Sequence, residues 1–67
     1  MSYPKLRGRI REKYGRQEDF ARVMGMSPGT LSAKLTGGTE WTRPEIVKAC
    51  ERLNIPLEEA HLYFFTQ

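Results

Sequence analysis

The sequence predicts an all-α fold, a compact bundle of five helices in one domain spanning residues 1–67. Three observations lead to this prediction. Apolar residues recur at intervals of three and four along the chain, and no stretch alternates apolar and polar residues over more than three or four positions. Proline, glycine and asparagine separate the periodic segments, where helices begin and end. A chain of 67 residues has room for one domain.

The first helix is predicted from Pro4, which suits a first helical turn, to about Gly15. Its apolar stripe consists of Leu6, Ile10 and Tyr14, at positions i, i+4 and i+8. Basic residues occupy its other faces, which form either a solvated surface or a flank that faces phosphates.

The second helix is predicted from about Gln17 to Met24, with Phe20 on its inward side. Acidic residues in its first turn suit the positive end of the helix dipole. Gly25 is expected to end this helix in the left-handed conformation, and Met26 is expected to fill the turn from inside.

The third helix begins after Ser27, a favourable N-cap, with Pro28 at its first position. Leu31 and Leu35 form its inward pair, and Gly37-Gly38 ends it.

Two further helices complete the predicted bundle. Thr42 and Glu45 match the capping-box pattern at the start of the fourth helix, whose buried stripe is expected to include Ile46, Cys50 and Leu53, with Val47 and Ala49 beside them. Asn54-Ile55-Pro56 breaks the fourth helix. The fifth is predicted from Leu57 to about Phe65, with Leu57, Ala60 and Phe64 on one side.

Charge is distributed unevenly along the chain. Residues 1–43 carry nine basic and four acidic side chains, whereas residues 44–67 carry two basic and four acidic ones. The first part therefore has a net charge of +5 and the second of −2, within a total of +3. A basic half of a small domain favours contact with a polyanion.

The spacing over residues 17–36 is typical of a DNA-binding helix-turn-helix. Two helices that cross steeply through a short turn need a small residue near the crossing, which Ala21 supplies, and a chain reversal, which Gly25 supplies. Met24, Met26 and Leu31 fill the space between the two helices. Such a unit lets its second helix, about residues 28–36, enter a DNA major groove roughly 12 Å wide.

The same residues resemble the helix-turn-helix of the lambdoid phage repressor and Cro family, the broad class of XRE-like regulators. The resemblance lies in Gln17, the pairs Phe20-Ala21 and Gly25-Met26, and Leu31. Further segments, namely Leu35-Thr36-Gly37, Glu45-Ile46 and Tyr63-Phe64-Phe65, resemble short phage and prophage repressor-like proteins. The resemblance implies a lambda-repressor-like fold and a sequence-specific transcriptional regulator of Cro or repressor type. It would bind a double-stranded DNA operator in the cytoplasm of a bacterial or phage-infected cell. We expect a homodimer on a pseudo-palindrome, because one short recognition helix reads only a few base pairs.

The resemblance also implies which residues contact DNA. Gln17 and Arg16 would contact phosphates, the exposed side of the third helix would face the bases, and Lys34 and Arg43 would reach the backbone or a base edge. The full set is Arg16, Gln17, Ser27, Pro28, Gly29, Thr30, Ser32, Ala33, Lys34, Thr36 and Arg43.

One departure from the family pattern concerns base recognition. Family members often carry Gln, Asn or Arg at the two positions after the turn, where this chain has Pro28 and Gly29. Base recognition must then come from the hydroxyls of Thr30 and Ser32, from Ala33 against a thymine methyl, from Lys34, or from DNA shape. We expect modest discrimination between bases and a large contribution from phosphates.

The weak base contacts also motivate an alternative function, a helical protein-interaction module that binds another regulator or RNA polymerase. Tyr63, Phe64 and Phe65 either pack on the core or form a dimer contact, and three consecutive aromatic residues cannot all face one way. Trp41 is interpreted as a core residue rather than a stacking platform for a nucleotide. RNA binding is disfavoured because the aromatic residues lie away from the basic face.

Other functional classes lack support in the sequence. No catalytic set, phosphate loop or metal cluster can be assembled from these residues, so we expect no enzyme, cofactor, metal or small-molecule substrate. Cys50 and His61 are single residues, interpreted as buried and surface residues respectively. No apolar run reaches the roughly 18 residues of a membrane span, and one cysteine fits a reducing, cytosolic environment.

Overall fold

The computed structural model describes residues 2–65 and confirms the all-α prediction for them. This part of the chain contains five α-helices, one 3-10 turn and no strand. The elements are α1 (Pro4–Tyr14), α2 (Gln17–Met24), α3 (Pro28–Leu35), α4 (Arg43–Leu53), the 3-10 turn Leu57–Glu59 and α5 (Ala60–Phe64). No helix of residues 2–65 is long and apolar enough to cross a bilayer.

Local hydrogen bonds fix the ends of the middle helices, as the sequence predicts. Ser27 caps α3, because its Oγ accepts the Thr30 N–H at 3.1 Å. The capping box before α4 is complete: the Thr42 N–H donates to Glu45 Oε1 at 2.9 Å, and the Glu45 N–H donates to Thr42 Oγ1 at 3.3 Å. Gly25 ends α2 with a φ of 74°, a conformation that glycine adopts without steric cost.

A single apolar core joins the five helices. Its buried members are Tyr3, Leu6, Ile10, Phe20, Ala21, Met24, Leu31, Leu35, Ala49, Cys50, Leu53, Ile55, Ala60 and Phe64. Trp41 is half-buried and meets the Phe64 ring edge-on at 5.1 Å between centroids, which agrees with its interpretation as a packing residue. Cys50 is buried and His61 is exposed, as predicted. Burial in this apolar core raises the pKa of the Cys50 thiol.

The last helix differs from its prediction. The expected helix from Leu57 to Phe65 is divided into a 3-10 turn and the short α5. Leu57, expected to face inward, is 59% exposed. Ile55 takes the buried position at this corner, where its N–H donates to the Cys50 carbonyl at 2.9 Å. Val47, expected beside the buried stripe of α4, also lies largely outside the core.

Two arginines of α1 stabilise the ends of other helices, a role that the sequence did not indicate. Arg7 donates to the carbonyls of Ser2 and Leu35, both at 2.9 Å. Arg9 donates to the carbonyl of Leu53 at 2.9 Å and to that of Asn54 at 3.1 Å. Guanidinium groups at helix C-termini satisfy carbonyls that have no partner within the helix and complement the negative end of the dipole.

Candidate nucleic-acid interface

The candidate interface is built on α2, the three-residue turn Gly25–Ser27, and α3. Ala21 of α2 and Leu31 of α3 are fully buried, and the Met26 N–H donates to the Ala21 carbonyl at 3.0 Å across the turn. These contacts tie the start of α3 to the end of α2. The outward face of α3 is therefore presented by a rigid support.

The outward face of α3 carries small, uncharged side chains. Ala33 is half-buried, and the remaining residues of this face are exposed: Ser27, Pro28, Gly29, Thr30, Ser32 and Thr36. All are small, so nothing extends far from the helix and its backbone can approach a ligand closely. The structure thus places seven of the predicted contact residues on one accessible surface.

Most hydroxyl groups on this face already have partners. Ser27 Oγ donates to Thr30 Oγ1 at 2.9 Å, and it accepts the Thr30 N–H. Thr36 Oγ1 donates to the Ala33 carbonyl at 3.1 Å. Within the described part of the chain, the Ser32 hydroxyl forms no hydrogen bond.

Lys34 does not lie on the outward face, in contrast to its predicted DNA contact. Only 4% of the residue is exposed. Its Nζ donates to the Glu40 carbonyl at 3.0 Å and forms an ion pair with Glu45 Oε1 at 2.9 Å, and it lies 5.9 Å from the centroid of the Trp41 ring. The position is three residues after the buried Leu31, which puts it on the inward side of α3. Its charge is used inside the protein and is not available to a phosphate.

Glu45 links this internal cation to the start of α4. Partial burial opposes ionisation of its carboxyl group. The hydrogen bonds from Thr42 and the neighbouring Lys34 ammonium outweigh that effect and hold the pKa of Glu45 below its ordinary value of 4.5. The ion pair therefore connects α3 directly to the first turn of α4.

A groove beside the C-terminal end of α3 contains both a predicted and an unpredicted candidate. Gln17, the first residue of α2, shares this groove with Arg11 of α1. Its other lining residues are Pro4, Arg7, Gly8, Ile10, Gly15 and Leu35. Arg11 is exposed and has no ion-pair partner within residues 2–65. The sequence offered only the general basic character of α1 as a signal for Arg11.

The charge differs between the two ends of α3. Near its N-terminal end, Arg22 and Glu18 line a shallow depression with Met26 and Pro28, and Arg22 pairs with Asp19 at 3.3 Å. Its C-terminal end adjoins the groove of Gln17 and Arg11 instead, which holds guanidinium groups and no carboxylate.

Of the other predicted phosphate contacts, Arg16 precedes α2, Arg43 begins α4, and both are exposed.

The three consecutive aromatic residues are separated by the fold, as expected. Phe64 is buried in the core and is unavailable as the predicted dimer contact, because α5 turns it toward Trp41. Tyr63 is half-buried, with Lys5 Nζ 5.1 Å from its ring centroid. Phe65 is 69% exposed, so the accessible aromatic surface of this segment belongs mainly to Phe65.

A comparison with known protein families gives one match. A family model described as "Protein of unknown function (DUF739)" matches residues 1–67. No curated protein matches the chain.

Proposed function

The chain belongs to the DUF739 family of proteins of unknown function, and we propose that it is a sequence-specific, double-stranded DNA-binding transcriptional regulator of the phage Cro or repressor type. α2 and α3 form its helix-turn-helix, and α3 with Thr36 is the recognition helix. The protein occupies an operator in the cytoplasm of a bacterial or phage-infected cell, where it blocks or steers RNA polymerase.

The outward face of α3 is the observation that carries this proposal. Its inner residues Leu31, Lys34 and Leu35 are buried, so the helix is held firmly while small, uncharged side chains cover its outer side. A helix of this kind fits the B-DNA major groove, which is about 12 Å wide and roughly 8.5 Å deep. An enzyme active site or a ligand cavity would need convergent reactive groups, and this surface carries small hydroxyl and methyl groups instead.

Phosphate contacts are assigned to the cations and amides that flank this face. Arg11 and Gln17 lie in one groove beside the end of α3, and the exposed Arg16 precedes α2. Arg43, exposed at the start of α4, is a further candidate. Because phosphate contacts fix the position of a protein on DNA without reading its sequence, these residues would orient α3 in the DNA major groove.

The regulator acts as a homodimer on a pseudo-palindromic operator. The recognition helix has only eight residues in α3 and reads a few base pairs. Two copies that bind half-sites about one helical turn apart, roughly 34–36 Å, double the sequence that is read. Phe65, the most exposed of the three predicted dimer residues, is the candidate contact.

Selection of duplexes from a random library tests the proposal. The purified protein should enrich a palindromic site, and its affinity for that site should fall steeply between about 50 and 200 mM salt. Arg11→Ala and Gln17→Ala should weaken binding to all sequences, whereas Arg52→Ala, which removes an exposed cation from the last turn of α4, should not. Binding without enrichment of any site would contradict the proposal.

One observation favours a second candidate, the protein-interaction module. Leu57 and Phe65 expose large apolar side chains near the C-terminal end of the described chain, and aromatic residues such as Phe65 are enriched at partner surfaces. In that case Phe65→Ser would abolish binding to another regulator or to RNA polymerase, while Arg43→Ala would leave it intact. Co-purification with RNA polymerase subunits, compared between these two variants, distinguishes the candidates.

A further inference from the structure

We infer that the recognition helix reads thymine methyl groups, so that the operator half-sites are defined by A·T pairs at the bases facing α3. This inference rests on the proposed DNA-binding function and specifies its ligand.

The outward face of α3 has no side chain that can make a two-point hydrogen bond to a base. Guanine is recognised most often by Arg or Lys, which donate to O6 and N7, adenine by Asn or Gln, and cytosine by Asp or Glu. Pro28 and Gly29 offer no hydrogen-bonding side chain at the two positions after the turn. Lys34, the one cation of α3, is buried against Glu45.

Three of the four hydroxyl groups of this face already have a hydrogen-bond partner within the protein. Thr36 donates to the Ala33 carbonyl, and Ser27 donates to Thr30. The Thr30 oxygen accepts in its bond, so its O–H can still donate one hydrogen bond, and each threonine also carries a methyl group. Ser32 retains one unengaged hydroxyl, which suits a single acceptor such as a purine N7.

Apolar atoms therefore dominate what α3 offers to the bases. They are the Pro28 ring and the methyl groups of Thr30, Ala33 and Thr36, all on exposed or half-buried residues. In the major groove, the thymine C5-methyl is the apolar feature that distinguishes one base pair from another. Contact between methyl groups excludes water from both and is favourable.

These methyl groups extend along α3 over the length of a few stacked base pairs. Thr30, Ala33 and Thr36 are three residues apart, and a rise of about 1.5 Å per residue places the first and last roughly 9 Å apart along the helix. Base pairs stack about 3.4 Å apart. The three methyl groups therefore span roughly three to four consecutive base pairs, and the thymines they read should lie within that span.

Replacement of thymine by uracil tests this inference, because uracil lacks the methyl group and keeps every hydrogen-bonding atom. The enriched operator is synthesised with deoxyuridine in the half-sites, and binding is measured by fluorescence anisotropy. Affinity should fall roughly fourfold for each contacted methyl group. The matched control is deoxyuridine placed only outside the half-sites, which should leave the affinity unchanged.

Two variants of Thr30 separate its methyl group from its hydroxyl. Thr30→Ser removes the methyl, so it should bind the thymine operator about fourfold more weakly and be less sensitive to uracil. Thr30→Val keeps a methyl and removes the hydroxyl, so it should retain sensitivity to uracil. Thermal unfolding of both variants, followed by circular dichroism, checks that each is folded under the binding conditions.

The outcomes distinguish this inference from the proposed function. If an operator is enriched and its uracil form binds as tightly as its thymine form, the inference is wrong and the proposed function stands. An enriched half-site composed of G·C pairs would likewise show that the inference is wrong while the proposed function stands. If no duplex is enriched, the proposed function fails and the inference fails with it.

Discussion

Substitution of Lys34 by methionine separates a structural role from a DNA contact. We expect Lys34→Met to destabilise the fold and to leave the salt dependence of DNA binding unchanged. The reason is that the ammonium group lies inside the protein, 2.9 Å from the Glu45 carboxylate and 3.0 Å from the Glu40 carbonyl. Methionine retains an unbranched chain of similar length, so the main loss is the charge and its hydrogen bonds.

The size of the effect follows from the surroundings of the pair. A hydrogen bond to a charged group contributes about 1.5–3 kcal/mol, and breaking a fully buried ion pair costs about 3–5 kcal/mol. The Glu45 side chain is 28% exposed, so water and the Thr42 N–H still solvate its carboxylate. We therefore expect a loss of about 2–3 kcal/mol in the free energy of unfolding. At about 4–8 °C per kcal/mol for a domain of this size, Tm should fall by roughly 8–24 °C.

Two measurements on the same variant check this reasoning. Urea denaturation followed by circular dichroism gives the free energy of unfolding, and anisotropy titrations at several salt concentrations give the slope of log K against log salt. Removal of a phosphate contact lowers the magnitude of that slope by about 0.9, as expected for Arg16→Ala. Arg52→Met serves as the matched control for loss of one exposed positive charge, and its stability should stay within about 0.5 kcal/mol of the wild-type value.

The reasoning would be refuted by either of two results. Lys34→Met that is as stable as the wild type would show that the internal ion pair contributes nothing. A decrease of about 0.9 in the magnitude of the salt slope, the value for one phosphate contact, in protein shown to be folded, would show that Lys34 contacts DNA.

Three further predictions concern stability and reactivity. Gly8→Ala should raise the free energy of unfolding in urea by about 0.5–1 kcal/mol, because an added Cβ meets no atom within 4 Å; a loss of stability would contradict this. The lowered pKa of Glu45 means that its stabilising contribution is complete above the ordinary value of 4.5 and is lost as pH falls through the folded-state pKa. Glu45→Gln should therefore be less stable than the wild type at neutral pH and approach it in acid, whereas a constant difference would exclude this linkage. The Cys50 thiol, buried and with a raised pKa, should react slowly with a disulfide reagent in native protein and quickly in urea, and equal rates would show that it is accessible.

The sequence was most informative where the determining interactions are local. The predicted bounds of α2 agree with the structure, and so do the Ser27 cap and the capping box of Thr42 and Glu45. Each of these features depends on hydrogen bonds between residues at most four positions apart, so the residue types at those positions are sufficient to indicate them. The outward residues of α3 were also predictable from local sequence, because helical periodicity assigns each residue to a face.

The candidate site was predicted less completely, because whether a side chain is available to contact DNA depends on the surrounding protein surface. Periodicity identifies the small residues of α3, but it also allows Lys34, three residues after Leu31, to reach DNA, whereas the structure buries it. A lysine at the edge of an inward face can extend into solvent or fold inside, and the choice depends on what lies nearby. Local patterns do not single out Arg11, because its place beside Gln17 depends on a groove between α1 and α2.

The sequence alone thus determined that the chain forms short helices, where most of them begin and end, and which face of most of them is apolar, since these properties follow from neighbours along the chain. Tertiary structure decided which charged and aromatic groups remain available. Arg7 and Arg9 were drawn to the carbonyl ends of α3 and α4, Lys34 to Glu45, and Phe64 to Trp41. Each partner is distant in sequence or reached only through a loop, and a buried polar group is stable only where the fold supplies such a partner.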